Sequence, residues 1–308
     1  MRTATVLIWA AAHPSKIMKN AERSATSLFF PIAILVIAMA CFQVGATLAK
    51  GLFPLVGAVG ATVLRTGIAA VVLSIVWRPW RLRFTRREAR AVIIYGIALG
   101  CMNLSFYSAL DTIPLGIAVA IEFTGPLAVA VAASRRSIDF AWIGLAIAGL
   151  LALLPLGHDT RPLATQGVAL ALIAGLCWAL YIIYGRRAGS SHGGASTALG
   201  MLISSLFIVP IGVLENGAAL FSSSILMTGI AVAVVSSALP YSLEMMAMPK
   251  IPTRVLGVLL SLDPVLAALA GVALLNEHLT WLQWSAVACI MVASAGSASS
   301  NRAEALTN

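Results

Sequence analysis

PLGIAVAIEFTGPLAVAV, residues 114–131, holds one ionisable side chain, Glu122, and two prolines, in a run otherwise built from small and apolar residues. A bilayer core of roughly 30 Å takes about 20 helical residues to cross, and backbone groups in lipid must bond within their own segment. The run therefore predicts a membrane-crossing helix over about 115–134, with an acid and a proline at mid-depth. Nine similar runs flank it, at about 28–49, 57–77, 91–110, 139–156, 167–185, 196–214, 225–244, 255–275 and 280–298. The whole chain of 308 residues is 60% apolar and only 10% charged, with a mean hydropathy of +0.97. The expected fold class is an all-α polytopic membrane protein with ten transmembrane helices.

The net charge of +9 would suggest nucleic acid in a soluble chain. Its distribution argues for topology instead. Arg2, Lys16, Lys19 and Arg23 precede the first span, and Arg78, Arg81, Arg83, Arg86, Arg87 and Arg90 fill the second gap. Arg135, Arg136, Arg186, Arg187, Lys250 and Arg254 occupy the later even gaps, and Arg302 the carboxyl tail. Seventeen of the twenty basic residues thus fall on one face, against Lys50 and Arg161 on the other and Arg65 inside a span. The positive-inside rule places that face, and both termini, in the cytoplasm. The run WRPWRLRFTRREAR then anchors a span to the anionic leaflet, and nucleic acid is not an expected partner. MRTATVLIWAAA imitates a signal peptide only loosely, since its apolar run is short and Lys16 and Lys19 come after it. Residues 1–26 and 300–308 are expected to be cytoplasmic tails.

Matches at offsets of 136 to 138 relate the two halves of the chain. Cys41, Phe42 and Lys50 align with Cys177, Trp178 and Arg186, Pro126 with Pro264, and Asp139 with Glu277. Five spans per copy is an odd number, so the second copy enters the membrane from the opposite side. An inverted repeat of this kind is used by many secondary transporters. The repeats are expected at 27–157 and 166–299.

Ionisable side chains at mid-membrane are costly, on the order of 2.5 to 3.5 kcal/mol on insertion scales, and mark function by default. Glu122 and Asp263 lie near the middles of the fourth and ninth spans, each with a proline, Pro126 and Pro264, that breaks the helix and frees carbonyls toward a cavity. Both acids are candidates to exchange a proton for a substrate. Arg65 lies mid-span in the second helix, where it can meet an anion, or pair with Glu122 or a backbone carbonyl merely to hold helices together. Glu244 lies near the cytoplasmic end of the eighth and can snorkel to the interface. Gln43, Asn103, Thr124 and Tyr181 complete the candidate substrate-binding set, a buried amide or phenol being expensive to leave unused. Cys41, Cys101, Cys177 and Cys289 lack metal or redox spacing and read as small apolar residues. No metal or other cofactor is called for. No H-E-x-x-H, paired-aspartate or Ser/His motif lies within the spans, so an enzyme is not expected.

KGLFPLVGA (50–58), WRPWRLRF (77–84), the 114–131 string, ALPYSLEM (238–245) and LDPVLAALAG (262–271) together resemble the threonine and homoserine exporter branch of the EamA-domain drug/metabolite transporters. The likeness spans residues 28–298. It implies an inner-membrane exporter of two EamA repeats, with the cavity formed mainly by the first, third, fourth, sixth, eighth and ninth helices. Glu122, Thr124 and Pro126 fall in the matching fourth-span motif, and Asp263 with Pro264 in the ninth. The family usually carries Glu where this chain has Asp263, and Gly-Glu where it has Asn276-Glu277, which bears on cavity size and substrate preference. The implied partners are a small neutral amino acid, threonine or homoserine, and a counter-moving proton, in a membrane lipid environment. Another metabolite, such as a nucleobase, an aromatic amino acid or an organic cation, is the alternative cargo.

Overall fold

The computed structural model describes residues 14–132, 137–153, 164–247, 250–251, 256 and 259–300. The expected tails before residue 14 and after residue 300, and Arg135, Arg136, Arg161 and Arg254, lie outside them. Described regular structure is helical throughout. Helix α1 runs Pro14–Lys50, α2 Phe53–Trp77 and α3 Arg86–Leu110. Two short helices come next, α4 Leu115–Glu122 and α5 Thr124–Ala132, and then α6 Ser137–Leu153. The second half holds α7 Thr165–His192, α8 Gly194–Asn216, α9 Ser223–Ala233, α10 Leu239–Ala247, α11 Asp263–Leu275 and α12 Trp281–Ser300.

Six segments are long and apolar enough to cross a membrane: Phe29–Lys50, Phe53–Trp77, Arg86–Leu110, Thr165–Gly189, Gly194–Phe221 and Ser223–Glu244. They coincide with the first, second, third, sixth, seventh and eighth runs of the sequence. Four shorter apolar helices, Leu115–Val129, Phe140–Gly149, Asp263–Leu275 and Trp281–Ala293, stand where the other four were expected. Large apolar side chains cover the outside, with Leu214 86% and Leu206 75% exposed, a surface suited to lipid rather than water.

Local sequence explains the helix boundaries. Thr85 and Glu88 form a reciprocal capping box at the start of α3, satisfying amides that the first turn leaves open. Pro264 occupies the first turn of α11, where its missing N–H and fixed φ suit a helix start. Pro126 lies in the first turn of α5, and its missing N–H leaves the Glu122 carbonyl without the partner a continuous helix would give it. The chain accordingly breaks at Phe123 between α4 and α5.

Packing places the breaks against neighbouring helices. Helix α3 lies along α7 and α8, α2 along α8, α10 along α1, α4 along α11, and α12 along α6. Where α5 meets α7, a Cβ on Gly125 would run into the backbone of Gly175, so the two glycines permit a backbone-to-backbone crossing. Small residues at such contacts are how helices approach closely in lipid.

Candidate functional site

Between α9 and α10 the chain makes a π turn, Val234–Ala238. The residue four on from Ser236 is Pro240, which has no N–H, so the Ser236 carbonyl lacks its α-helical partner and is open to a side-chain donor. Gly45 of α1 lies against this point, and a side chain there would collide with Ser236. Arg65, 3% exposed on α2, fills the gap: its Nη2 donates to the Ser236 carbonyl at 2.8 Å and its Nε to the Ser236 hydroxyl at 3.1 Å. Nη1 donates to Asn103 Oδ1. Asn103 is itself oriented by an Nδ2 bond to the Leu99 carbonyl at 2.8 Å. The Tyr107 ring lies 4.5 Å from the guanidinium carbon, a cation–π contact.

Dipoles and a ring thus hold Arg65 in place, not a carboxylate. Among the described residues it makes no ion pair, so the alternative of a direct pairing with Glu122 is not realised. The backbone-carbonyl alternative is realised through Ser236. A guanidinium has five N–H donors and these contacts use three.

Arg65 faces a cavity of about 110 Å³, large enough for several waters or a small solute. Gln43, Asn103, Glu122, Tyr181 and Asp263, all expected from the sequence, line it with Arg65. Gln43 Nε2 donates to Asp263 Oδ1 at 2.9 Å, which fixes the acid at the start of α11. Glu122 is 7% exposed at the end of α4, and its carboxylate accepts no hydrogen bond among the described residues. Tyr181 of α7 stacks at 5.0 Å on Tyr95.

Thr124 is placed elsewhere. It is absent from the lining, and its hydroxyl donates to the Ile121 carbonyl at 2.7 Å, the local back-bond typical of threonine in helices. Pro126 and Pro264 act through the backbone breaks described above.

Other lining groups stood outside the expected substrate-binding set. Glu244 faces the cavity rather than the interface. A π turn adds a residue to the helix and rotates the succeeding turns by roughly 100°, so periodicity carried across Ser236 misplaces it. Tyr107 and Trp178 lack any sequence signal that separates them from ordinary apolar packing. Together with Phe42 and Tyr241, which pack edge-to-face at 4.9 Å, they give the cavity aromatic walls. The result is one guanidinium and three carboxyls, Glu122, Glu244 and Asp263, around one small cavity.

Comparison with known proteins places the chain among transporters. The model of the EamA-like transporter family matches residues 165–298. The threonine/homoserine exporter RhtA of Escherichia coli (strain K12) is 52% identical over 277 residues, covering 90% of this chain and 94% of that protein. The protein of the same name from Salmonella typhimurium (strain LT2) shows the same identity and coverage. A solved crystal structure at 19% identity superposes with a TM-score of 0.61, covering 90% of this chain and 99% of that one, a likeness of fold alone.

Proposed function

Because this chain belongs to the threonine/homoserine exporter branch of the EamA transporter superfamily, and is thus a multi-pass membrane exporter and not an enzyme, we propose that it moves small neutral amino acids, threonine and homoserine, out of the cell in exchange for protons. The observation that carries this reading is Arg65, buried, free of any carboxylate partner among the described residues, and facing the same cavity as Glu122 and Asp263. A zwitterion needs a cation for its carboxylate and an acid for its ammonium. Arg65 supplies the first with its remaining donors, and Glu122 the second. Asp263, held by Gln43, carries the proton, and Asn103 keeps Arg65 oriented. Tyr181 closes the side of the pocket. Substrate and proton compete for one cavity, which couples their movements when each favours a different conformation.

The architecture that suits this function is ten passes in two inverted five-helix repeats, 27–157 and 166–299, in the inner membrane with both termini cytoplasmic. Supporting it are the six long apolar helices, the four shorter ones at the expected positions, and the breaks beside Pro126 and Pro264 at matching points of the two halves. Half-helices meeting at mid-depth are how transporters build polar sites without exposing backbone to lipid.

One observation favours a second cargo. Three acids and aromatic walls against one base also suit an organic cation. Efflux from cells overproducing the chain, measured for a panel of amino acids and organic cations with and without a protonophore, decides between them. Threonine and homoserine efflux that collapses with the proton gradient supports the first reading, and cation efflux without amino-acid efflux replaces it.

A further inference from the structure

Lys50, at the end of α1, donates from Nζ to Glu277 Oε1 at 2.8 Å. The other carboxylate oxygen, Oε2, accepts the backbone N–H of Leu115 at 2.9 Å. Leu115 opens α4 after Pro114, which has no side chain able to cap it. Glu277 therefore caps a helix to which it is not joined, placing negative charge at the helix's positive end. Asn276 makes this possible: its left-handed φ of 53° turns the chain so that the Glu277 N–H returns to the Gly271 carbonyl at 3.1 Å. One carboxylate thus ties the ends of α1, α4 and α11 together.

This tie closes one end of the cavity. Lining residues on α1 extend from Leu35 to Ala46 and stop one turn short of Lys50. Beyond them Ala49, Leu52, Leu110, Ile113 and Leu115 are at most 2% exposed. The contact is also only partly hidden, with Lys50 25% and Glu277 11% exposed, so it can part without stranding charges in lipid.

The charged pair of the tie and the Ile-Pro step before α4 recur in the other half of the sequence, whereas Asn276 aligns with Ile138 of α6. Lys50 aligns with Arg186, Ile113-Pro114 with Ile251-Pro252, and Glu277 with Asp139. We propose that Lys50 and Glu277 are positioning residues that lock the Lys50 end of the transport path, and that Arg186 and Asp139 form the equivalent lock at the opposite end when the first is open. The inference rests on the inverted-repeat transporter reading, in which the copies exchange roles between conformations.

The test uses the full chain with Cys41, Cys101, Cys177 and Cys289 changed to serine and Ala46→Cys as reporter, labelled by a membrane-impermeant maleimide from the Lys50 side. Glu277→Gln is expected to raise the labelling rate by roughly fivefold, as loss of an ion pair worth about 1 kcal/mol would. Asp139→Asn is expected to lower it. Substitutions that move the rate in the same direction, or leave it unmoved, overturn the proposal. If the serine background fails to fold, hydrogen exchange with the native cysteines kept reads the same equilibrium: Glu277→Gln speeds exchange at residues 110–116, Asp139→Asn slows it, and any other pair of signs overturns the locks. Threonine efflux by the unsubstituted protein separates the two readings, since opposite shifts without efflux leave the locks standing and remove only the cargo.

Discussion

Gln43 Nε2 lies 2.9 Å from Asp263 Oδ1, joining residues 220 positions apart. The bond crosses from α1 to the first turn of α11 and gives the acid a fixed position beside the cavity. If Asp263 carries the proton, Asp263→Asn should leave threonine exchange between proteoliposomes and medium but abolish its acceleration by a pH gradient. Gln43→Leu should keep the gradient response while shifting the pH at which it is half-maximal. Measuring counterflow and gradient-driven flux across a series of pH values separates the two outcomes; unchanged gradient driving in Asp263→Asn removes Asp263 from the coupling role.

Arg65 tests the substrate site. Lysine keeps the charge but not the planar fork that reaches Ser236 and Asn103 together. Arg65→Lys is expected to fold and reach the membrane yet lose threonine transport by at least about tenfold, equivalent to roughly 1.4 kcal/mol. Asn103→Leu removes one acceptor and should weaken transport less. Flux normalised to protein in the membrane checks both.

Thr124→Val should be nearly silent. Its hydroxyl is spent on the Ile121 carbonyl and the residue does not line the cavity. Threonine efflux within about twofold of the unsubstituted protein is expected, the range of a change away from any packed or polar feature. A larger KM effect would return Thr124 to the site.

The crossing of α5 and α7 makes a stability prediction. A Cβ at Gly125 or Gly175 meets backbone, which has no rotamer to yield. Gly125→Val should cost several kcal/mol, about the scale of severe overpacking, and lower the detergent-solubilised melting temperature. Gly144, with open space around it, tolerates the same change and serves as control.

The long apolar runs and the six spans they became were legible because hydropathy alone sets membrane-crossing helices, and residues 29–50 or 53–77 have no competing reading. Arg65, Glu122 and Asp263 were legible because charge in lipid demands a use. Thr124 was misjudged because a hydroxyl in a helix can satisfy itself locally. Glu244, read by its depth near the end of the eighth span, suggests a snorkelling residue, and the π turn that rotates the helix toward the cavity leaves no trace in hydropathy. Tyr107 and the Glu277 cap were hidden for a different reason: both act through partners far along the chain, at Arg65 and Leu115, and no local pattern encodes such contacts.

Glu122 and Glu244 compete for the substrate ammonium. Both line the cavity, and neither carboxylate accepts a hydrogen bond among the described residues. Glu122 sits at the broken end of α4, and Glu244 lies just past the π turn that holds Arg65. A zwitterion whose carboxylate is on Arg65 places its ammonium a few ångströms away, so one acid must take it and the other is spare. With Glu122 in that role, Glu122→Gln should raise the KM for threonine by about tenfold and Glu244→Gln by no more than about twofold, the difference between losing and keeping a charge-assisted hydrogen bond. The reverse ranking, measured by initial rates in the same vesicles, would move the ammonium site to Glu244 and leave Glu122 free to share the proton with Asp263.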